Sequence, residues 1–271
     1  MRRLQSRTSI TRAELLDFVE SPEAQTPLAA GHARLADERF VVLLGGTPEF
    51  TSVQRPRLAV EGVETALGEI REFVASHGHR RATWWIGPSA TPPDLLDRLI
   101  DLGLRPDEQE PELAAMVLDH APAPPPPDIA VGPVETIDDM RQAVAIHREV
   151  FARPAIEQME EERRVAERFR LEQEHGLTKT FLARVDGRPA ASALAVFAPE
   201  GVLLVGGATR PWARGRGAYR ALIRARWDAA VDRRSPALVI QASSMSGPIA
   251  RRLGFVELFR IQQLVDVAGP A

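Results

Sequence analysis

One stretch of this sequence, from Leu203 to Ala230, joins an apolar strand to an amphipathic helix through an Arg-Gly-Arg-Gly turn. Gly215 and Gly217 lack a Cβ, so the backbone of the turn can adopt positive φ and approach a ligand closely. The free N–H groups at the start of a helix point outward with the positive end of its dipole. The stretch therefore predicts either a tight connection or an anion site.

The residues around the turn favour the anion site. The helix that follows is amphipathic, because apolar residues recur at spacings of three and four. Those residues are Tyr219, Leu222, Ile223, Trp227, Ala230 and Val231. Guanidinium groups pair readily with phosphate oxygens, and more of them surround this turn than a simple connection needs. They belong to Arg210, Arg214, Arg216, Arg220 and Arg224.

Two common phosphate-binding motifs do not fit this turn. The Walker motif ends in Gly-Lys-Ser/Thr, and the single lysine of the chain, Lys179, is far from any glycine-rich loop. The dinucleotide-binding motif needs a third glycine where this chain has Tyr219 and Arg220. The ligand class therefore has to come from other features.

Composition limits the class of protein. The 271 residues are 44% hydrophobic, without the run of about 18 apolar residues that a membrane helix needs. The sequence has no cysteine and does not open with a secretory signal, so a cytoplasmic protein without membrane contact is expected. A net charge of −3 argues against general nucleic-acid binding. His77 and His79 lack a third ligand, and no metal site is expected.

A proline-rich segment divides the chain. Residues 121–128 read Ala-Pro-Ala-Pro-Pro-Pro-Pro-Asp, which disfavours helix and central strand and predicts an extended linker. Residues 1–120 carry 13 basic and 19 acidic residues, whereas residues 121–271 carry 21 basic and 18 acidic ones, so the anion site lies in the positively charged half. The predicted domains are 1–120 and 129–271.

The two halves share an order of elements. Each half ends with a helix, a strand, a short helix closing on Leu-Gly, and a final strand ending at Asp119 or Asp266. Such generic elements can coincide by chance, but a tandem duplication is the favoured interpretation. The first copy lacks glycine at the turn before its helix, Gln54–Leu58, so it is not expected to hold the anion.

The segment Pro211–Ala218, reading Pro-Trp-Ala-Arg-Gly-Arg-Gly-Ala, resembles the pyrophosphate loop of the GCN5-related N-acetyltransferases (GNATs). The later Leu253-Gly254-Phe255 and a strand over Glu257–Val265 continue the likeness. The resemblance implies an α/β (α+β) fold with two GNAT-like domains. Each would be a mixed, mostly antiparallel twisted sheet flanked by helices, with a splayed central strand pair in the C-terminal one.

The same resemblance implies that acetyl-CoA lies in the splayed gap with its pyrophosphate on the turn. The strand would contact pantetheine and supply the oxyanion donor, and the turn would hold the phosphates. The implied cofactor-binding residues are Gly207, Ala208, Thr209, Arg214, Gly215, Arg216, Gly217, Ala218, Tyr219 and Ser243. Two departures stand out. Tyr219 replaces the usual glycine or alanine, and Ala250 occupies the position of the tyrosine that commonly protonates the departing thiolate.

Candidate catalytic groups are few, because the strand before the turn carries no carboxylate. His147 and Glu149 on a predicted helix are the candidate bases, with His175 or a water chain as alternatives. For His147, a half-buried core histidine is the competing interpretation. Ser244 and Ser246 are candidate acids, or caps of the helix that follows. Glu157 and Glu160 to Glu162 could attract a cationic amine or form a solvated face.

The resulting expectation is an N-acetyltransferase that transfers an acetyl group from acetyl-CoA to a small amine by direct attack in a ternary complex. The alternative is a non-catalytic acyl-CoA-binding or protein-interaction module with a degenerate GNAT fold. The sequence leaves open the acceptor, the acyl chain and whether the protein is a homodimer.

Overall fold

The computed structural model describes residues 11–22, 28, 32–45, 51–152, 158–235 and 237–267, so Glu157 lies outside it. The helices are α1 (Arg12–Glu20), α2 (Val63–Ser76), α3 (Leu95–Asp101), α4 (Ile137–Val150), α5 (Gln158–His175), α6 (Ala218–Asp232) and α7 (Gly247–Arg252). The strands are β1 (Ala33–Ala36), β2 (Val41–Leu44), β3 (Thr51–Gln54), β4 (Arg81–Ile86), β5 (Arg105–Pro106), β6 (Glu112–Leu118), β7 (Ile129–Pro133), β8 (Thr178–Val185), β9 (Arg188–Phe197), β10 (Val202–Thr209), β11 (Leu238–Ala242) and β12 (Val256–Val267). None of the described helices is long and apolar enough to cross a bilayer.

The chain divides into two compact units, each built from segments that are distant in sequence. The 117–240 unit contains Met1–Leu15, Val117–Ile240 and Leu253–Phe255. The 16–116 unit contains Leu16–Met116, Gln241–Arg252 and Val256–Ala271. The domains predicted from the sequence, 1–120 and 129–271, are contiguous stretches of chain, and these boundaries remain a prediction.

In the 117–240 unit, five strands lie in the order β11-β10-β9-β8-β7. Neighbours from β7 to β10 are antiparallel, whereas β10 and β11 are parallel and joined through α6. Helices α4 and α6 pack on β8, β9 and β10. The predicted start of α4 is confirmed, because the Thr136 hydroxyl accepts a hydrogen bond from the backbone N–H of Asp139 at 3.1 Å.

The buried face of α6 differs from the predicted one. Val231 is 56% exposed, and Tyr219 and Trp227 are half-buried. Arg226 is 1% exposed and faces the core instead. Arg226 lies four residues after Leu222 and four before Ala230, both 0% exposed, so helical spacing places it on the same face. The sequence pattern predicted that only apolar residues form the buried face of α6, and it missed Arg226.

The 16–116 unit repeats the same plan. Its strands lie in the order β1-β2-β3-β4-β12-β6, with β5 on β12. Strands β1, β2 and β3 are antiparallel, and β3 and β4 are parallel and joined through α2. Antiparallel strands leading into a helix-linked parallel pair therefore occur in both units, as a tandem duplication predicts.

The last strand, β12, belongs to the 16–116 unit. It runs antiparallel to β4, with Leu264 opposite Trp84, and Leu264 is 1% exposed within the core cluster of this unit. The carboxylate of Asp266 is 4% exposed and accepts two hydrogen bonds from Arg71 of α2, at 2.8 and 2.9 Å. The C-terminal strand is therefore held by apolar packing and by a two-point ion pair.

Candidate functional site

Strand β10 is open along its second half. Its parallel pairing with β11 involves Val202 and Leu203. Its register with β9 shifts between Val205 and Ala208, and Gly206 has a φ of 57° there. Val205 is 39% exposed at the same place. The main chain after Leu203 is therefore available to a ligand, which agrees with the predicted splayed pair.

The two glycines of the bulge allow helices to approach the strand from both sides. A Cβ built on Gly206 would lie 2.9 Å from Cε1 of His147 in α4. A Cβ on Gly207 would lie 2.5 Å from Cε2 of Tyr219 in α6. Ala208 packs with α4 residues, as strand alternation requires for a residue on the same face as Gly206. His147 and Tyr219 thus flank the open section of β10 from opposite faces.

The turn after β10 leads into an uncapped helix. Gly215 and Gly217 have φ values of 76° and 93°, a region that favours glycine. Gly217 is the N-cap of α6, and the cap makes no side-chain hydrogen bond. The first helical bond runs from the N–H of Ala221 to the carbonyl of Gly217. Backbone N–H groups of the first turn are therefore left for an anion, where the helix dipole is positive.

The arginines around the turn are more engaged than the sequence suggested. Arg216 donates to Asp186 at 2.9 Å and lies 3.9 Å from Asp128. Arg224 donates to Asp228 at 2.8 Å. Arg214 is exposed and donates to the carbonyl oxygen of its neighbour in the turn, Thr209, at 3.4 Å. Arg214 is therefore better placed than Arg216 or Arg224 to meet a phosphate without breaking an ion pair.

The proline-rich segment packs along this helix. A Cβ on Gly217 would lie 2.7 Å from Cγ of Pro126, so the segment closes one side of the turn. The buried Pro122 accepts a hydrogen bond from Arg224 at 3.1 Å through its carbonyl oxygen. The predicted linker therefore forms part of the wall of the turn.

Arg226 is a functional candidate that sequence reasoning missed. Its guanidinium donates to the carbonyl oxygens of Leu222 at 3.0 Å and Leu194 at 3.2 Å, and its Cζ lies 6.0 Å from the ring centroid of Tyr219. Nη2 has no hydrogen-bond partner among the described residues. Burial lowers the pKa of Arg226, and the adjacent Tyr219 hydroxyl opposes that shift. The spacing from Leu222 was the signal that could have found it.

The predicted base Glu149 is held in an ion pair. Its carboxylate accepts a hydrogen bond from Arg210 at 2.8 Å, and Arg210 also donates to the carbonyl oxygen of Pro189. His147 lies against the bulge and its ring centroid is 5.7 Å from that of Phe151. Of the two candidates, His147 is the one that the structure brings to the open section of β10.

The predicted serines lie in the 16–116 unit. The Ser246 hydroxyl accepts from the N–H of Ser243 at 2.8 Å, and the Ser243 hydroxyl accepts from the N–H of Ser246 at 3.2 Å. Ser244 donates to Glu110 through its N–H at 2.7 Å and through its hydroxyl at 3.3 Å. Ala250 is 2% exposed. These hydroxyls have local partners, which is the capping arrangement considered as the alternative to an acid role.

The acidic run on α5 is neutralised by arginines. Glu160 accepts hydrogen bonds from Arg164 and Arg163, and these guanidinium groups, Arg164 most strongly, hold the pKa of that carboxyl below its usual range. Glu161 pairs with Arg148, and Glu162 with Arg141. Of the two interpretations of this run, a solvated face with ion pairs agrees with these contacts.

The equivalent turn in the 16–116 unit lies between β3 and α2. After β3, the N–H of Leu58 donates to the carbonyl oxygen of Thr91 at 3.0 Å. The buried Glu20 accepts from the N–H of Ser89 at 3.1 Å, and burial raises the pKa of its carboxyl. The N–H groups of Leu58 and Ser89 are thus used within the protein, and the carboxylate of Glu20 lies beside them, which differs from the glycine-containing turn before α6.

Residues 127–243 match the family model described as an acetyltransferase (GNAT) domain. Over these residues the chain is similar to a GNAT domain. This match confirms the resemblance read from the turn and places the turn, β10 and α6 inside the family segment. No curated protein matches the chain.

Solved structures of GNAT proteins share the fold. A GCN5-related N-acetyltransferase from Kribbella flavida is 18% identical with a TM-score of 0.64, covering 88% of this chain and 90% of its own. A tandem GNAT protein from the clavulanic acid biosynthesis pathway is 15% identical with a TM-score of 0.63, covering 94% and 88%. A GCN5-related N-acetyltransferase from Sphaerobacter thermophilus is 20% identical with a TM-score of 0.60, covering 86% and 82%. The predicted fold class is confirmed.

Proposed function

We propose that this GNAT protein is an N-acetyltransferase that uses acetyl-CoA and acts on a small amine. The observation that supports it best is the open section of β10 leading directly into the uncapped start of α6. A ligand with an extended amide arm and a diphosphate can use both features at once, because strand main chain pairs with amides and helix N-termini bind phosphates.

Residue roles follow from this arrangement. Gly207, Ala208 and Thr209 would contact the pantetheine arm, and a main-chain N–H of the strand would stabilise the oxyanion. The backbone N–H groups of Gly217, Ala218 and Tyr219 would hold the diphosphate, assisted by Arg214. The N–H of Arg216 would join them by exchanging its 3.4 Å hydrogen bond to the carbonyl oxygen of Ala213 for one to the ligand. Since the corresponding turn of the first half, Gln54–Leu58, lacks glycine, one acetyl-CoA per chain is expected.

The first experiment measures the melting temperature with and without acetyl-CoA and CoA. Ligand at about 100 times its dissociation constant should stabilise the native protein by roughly 2.7 kcal/mol. Release of CoA thiol in the presence of a panel of amines then distinguishes an enzyme from the alternative, a non-catalytic acyl-CoA-binding module. The ion pair of Glu149 and the burial of Ala250 are the observations that favour this alternative. If millimolar acetyl-CoA or CoA fails to raise the melting temperature, that result would contradict both the enzyme and the acyl-CoA-binding module.

His147 is the proposed base for the amine proton, because its ring lies against the bulge of β10. His147→Gln is expected to lower kcat by about 100-fold or more while keeping the stabilisation by CoA. His175→Gln is the matched control, since it removes an imidazole at the end of α5, and it should leave kcat nearly unchanged. If kcat is unaltered in His147→Gln, His147 is not the base, and its role is that of a half-buried packing residue.

A further inference from the structure

Arg226 differs from two other buried charged groups of the described chain, Glu172 and Asp266. Buried Glu172 lies against Arg168, and buried Asp266 lies against Arg71, so each has an opposite charge beside it. The contacts that the structure shows for Arg226 are two carbonyl oxygens and the ring of Tyr219. A buried cation without a carboxylate is unfavourable unless something else compensates it.

The position of Arg226 relates it to the open strand. It donates to the carbonyl oxygen of Leu194, and Leu194 is the register partner of Val205, where β10 begins its exposed section. On the other side, the Tyr219 ring packs between the helix and Gly207. The Tyr219 ring therefore lies between the guanidinium of Arg226 and the open section of β10.

The charge of a desolvated group acts over a longer distance than that of an exposed one. Water screens charges at the surface, whereas the effective dielectric constant inside a protein is lower. The half-buried Tyr219 ring helps to keep water from the guanidinium. An anionic atom placed along the exposed section of β10 would thus gain from Arg226 and supply the compensation that it lacks.

We propose that Arg226 is a positioning residue that acts through Tyr219 to stabilise negative charge on the sulfur of a CoA thioester bound along β10. The proposal rests on the proposed function, because it needs CoA in that place. In the transfer step, the amine nitrogen bonds to the acyl carbon, the carbon–sulfur bond breaks, and its electron pair goes to sulfur. The amine proton goes to a base, and the thiolate is left facing the cation.

Several charges near this helix have partners of their own. On the strands packed on α6, Arg184 pairs with Asp139 and Arg188 covers Trp212, and in the turns beside those strands Asp186 pairs with Arg216 and Arg210 with Glu149. On the helix, Arg224 pairs with Asp228. Of the remaining charges on the helix, Arg220 adds positive charge and Asp232 is exposed in its last turn. Strand alternation places Lys179 of β8 on the α6 face, where it adds positive charge. No carboxylate among these contacts opposes Arg226.

The experiment measures the thiol pKa of CoA bound to the full chain, from the ultraviolet absorbance of the thiolate. We expect bound CoA to ionise at a pH roughly one unit below free CoA. Arg226→Met should remove most of that shift, and Arg226→Lys should restore part of it. Tyr219→Phe should keep the shift and Tyr219→Ala should reduce it, because the ring excludes water and the hydroxyl is not required.

Arg224→Met is the matched control, since it removes an ion-paired arginine from the same helix, and it should keep the shift. Arg226→Met keeps a long unbranched side chain and removes the cost of burying a cation without a carboxylate, so the variant should fold, and its melting temperature reports this. A normal thiol pKa in bound wild type, or an unchanged shift in Arg226→Met, overturns the inference and leaves the proposed function intact. Failure of CoA to bind wild type overturns both.

Discussion

Gly215→Asp is expected to weaken binding of acetyl-CoA by at least about 100-fold, because a carboxylate about 4 Å from a diphosphate charge adds up to about 4 kcal/mol of repulsion at the effective dielectric constant of a protein surface. A Cβ at Gly215 meets no atom within 4 Å, so the side chain fits. Its φ of 76° strains any side chain, but Asp and Asn tolerate this region better than most residues. The effect should therefore come from charge.

Gly215→Asn is the control that isolates the charge, since Asn has nearly the same size and backbone preference as Asp. It should bind acetyl-CoA within about fivefold of wild type, as titration calorimetry can measure. Equal affinities of the two variants for acetyl-CoA would contradict the proposal that the turn binds the diphosphate. Gly217 is a poorer place for this test, because its Cβ would meet Pro126 and disturb the wall of the turn as well.

Leu264→Ala is expected to destabilise the 16–116 unit by about 2 to 5 kcal/mol, the range for emptying a well-packed leucine site. Leu264 is 1% exposed and shares its core cluster with Phe40, Ile70 and Trp84 of the first half. Denaturant unfolding followed by tryptophan fluorescence measures the loss.

Val267→Ala is the matched control on the same strand. Val267 is 65% exposed, so its truncation should change stability by less than about 0.5 kcal/mol. A loss below about 1 kcal/mol in Leu264→Ala would contradict the placement of β12 in the core of the 16–116 unit. The two variants differ mainly in burial, which makes the comparison a direct test of that placement.

The glycine-containing turn between β10 and α6 was predictable because its signal is local. Glycines that need positive φ, an apolar strand before them and an amphipathic helix after them are neighbours in sequence, and the structure has them as predicted. The capped start of α4 at Thr136 is equally local, and it is confirmed. The family likeness comes from the same residues, and the family match covers them.

Contacts between residues that are far apart in the chain could not be predicted from the sequence. Nothing local indicates that Arg216 pairs with Asp186, that acidic α5 residues are neutralised by arginines of α4, or that Pro126 closes the turn. The sequence assigned β12 to the second half by its order in the chain. A strand's partners depend on which sheet buries its apolar face, and the structure places β12 beside β4.

The sequence by itself determined the glycine-containing turn before α6, the two similar halves and the lack of glycine at the corresponding turn of the first half, Gln54–Leu58, because each depends on residues that are near neighbours in the chain. Only the tertiary structure decided that His147 and Tyr219 flank one bulge of β10 and that Arg226 lies buried behind it. Burial and the local dielectric constant are properties of the folded surroundings, and these decide whether an arginine is a solvated surface charge or a cation that acts on a bound ligand.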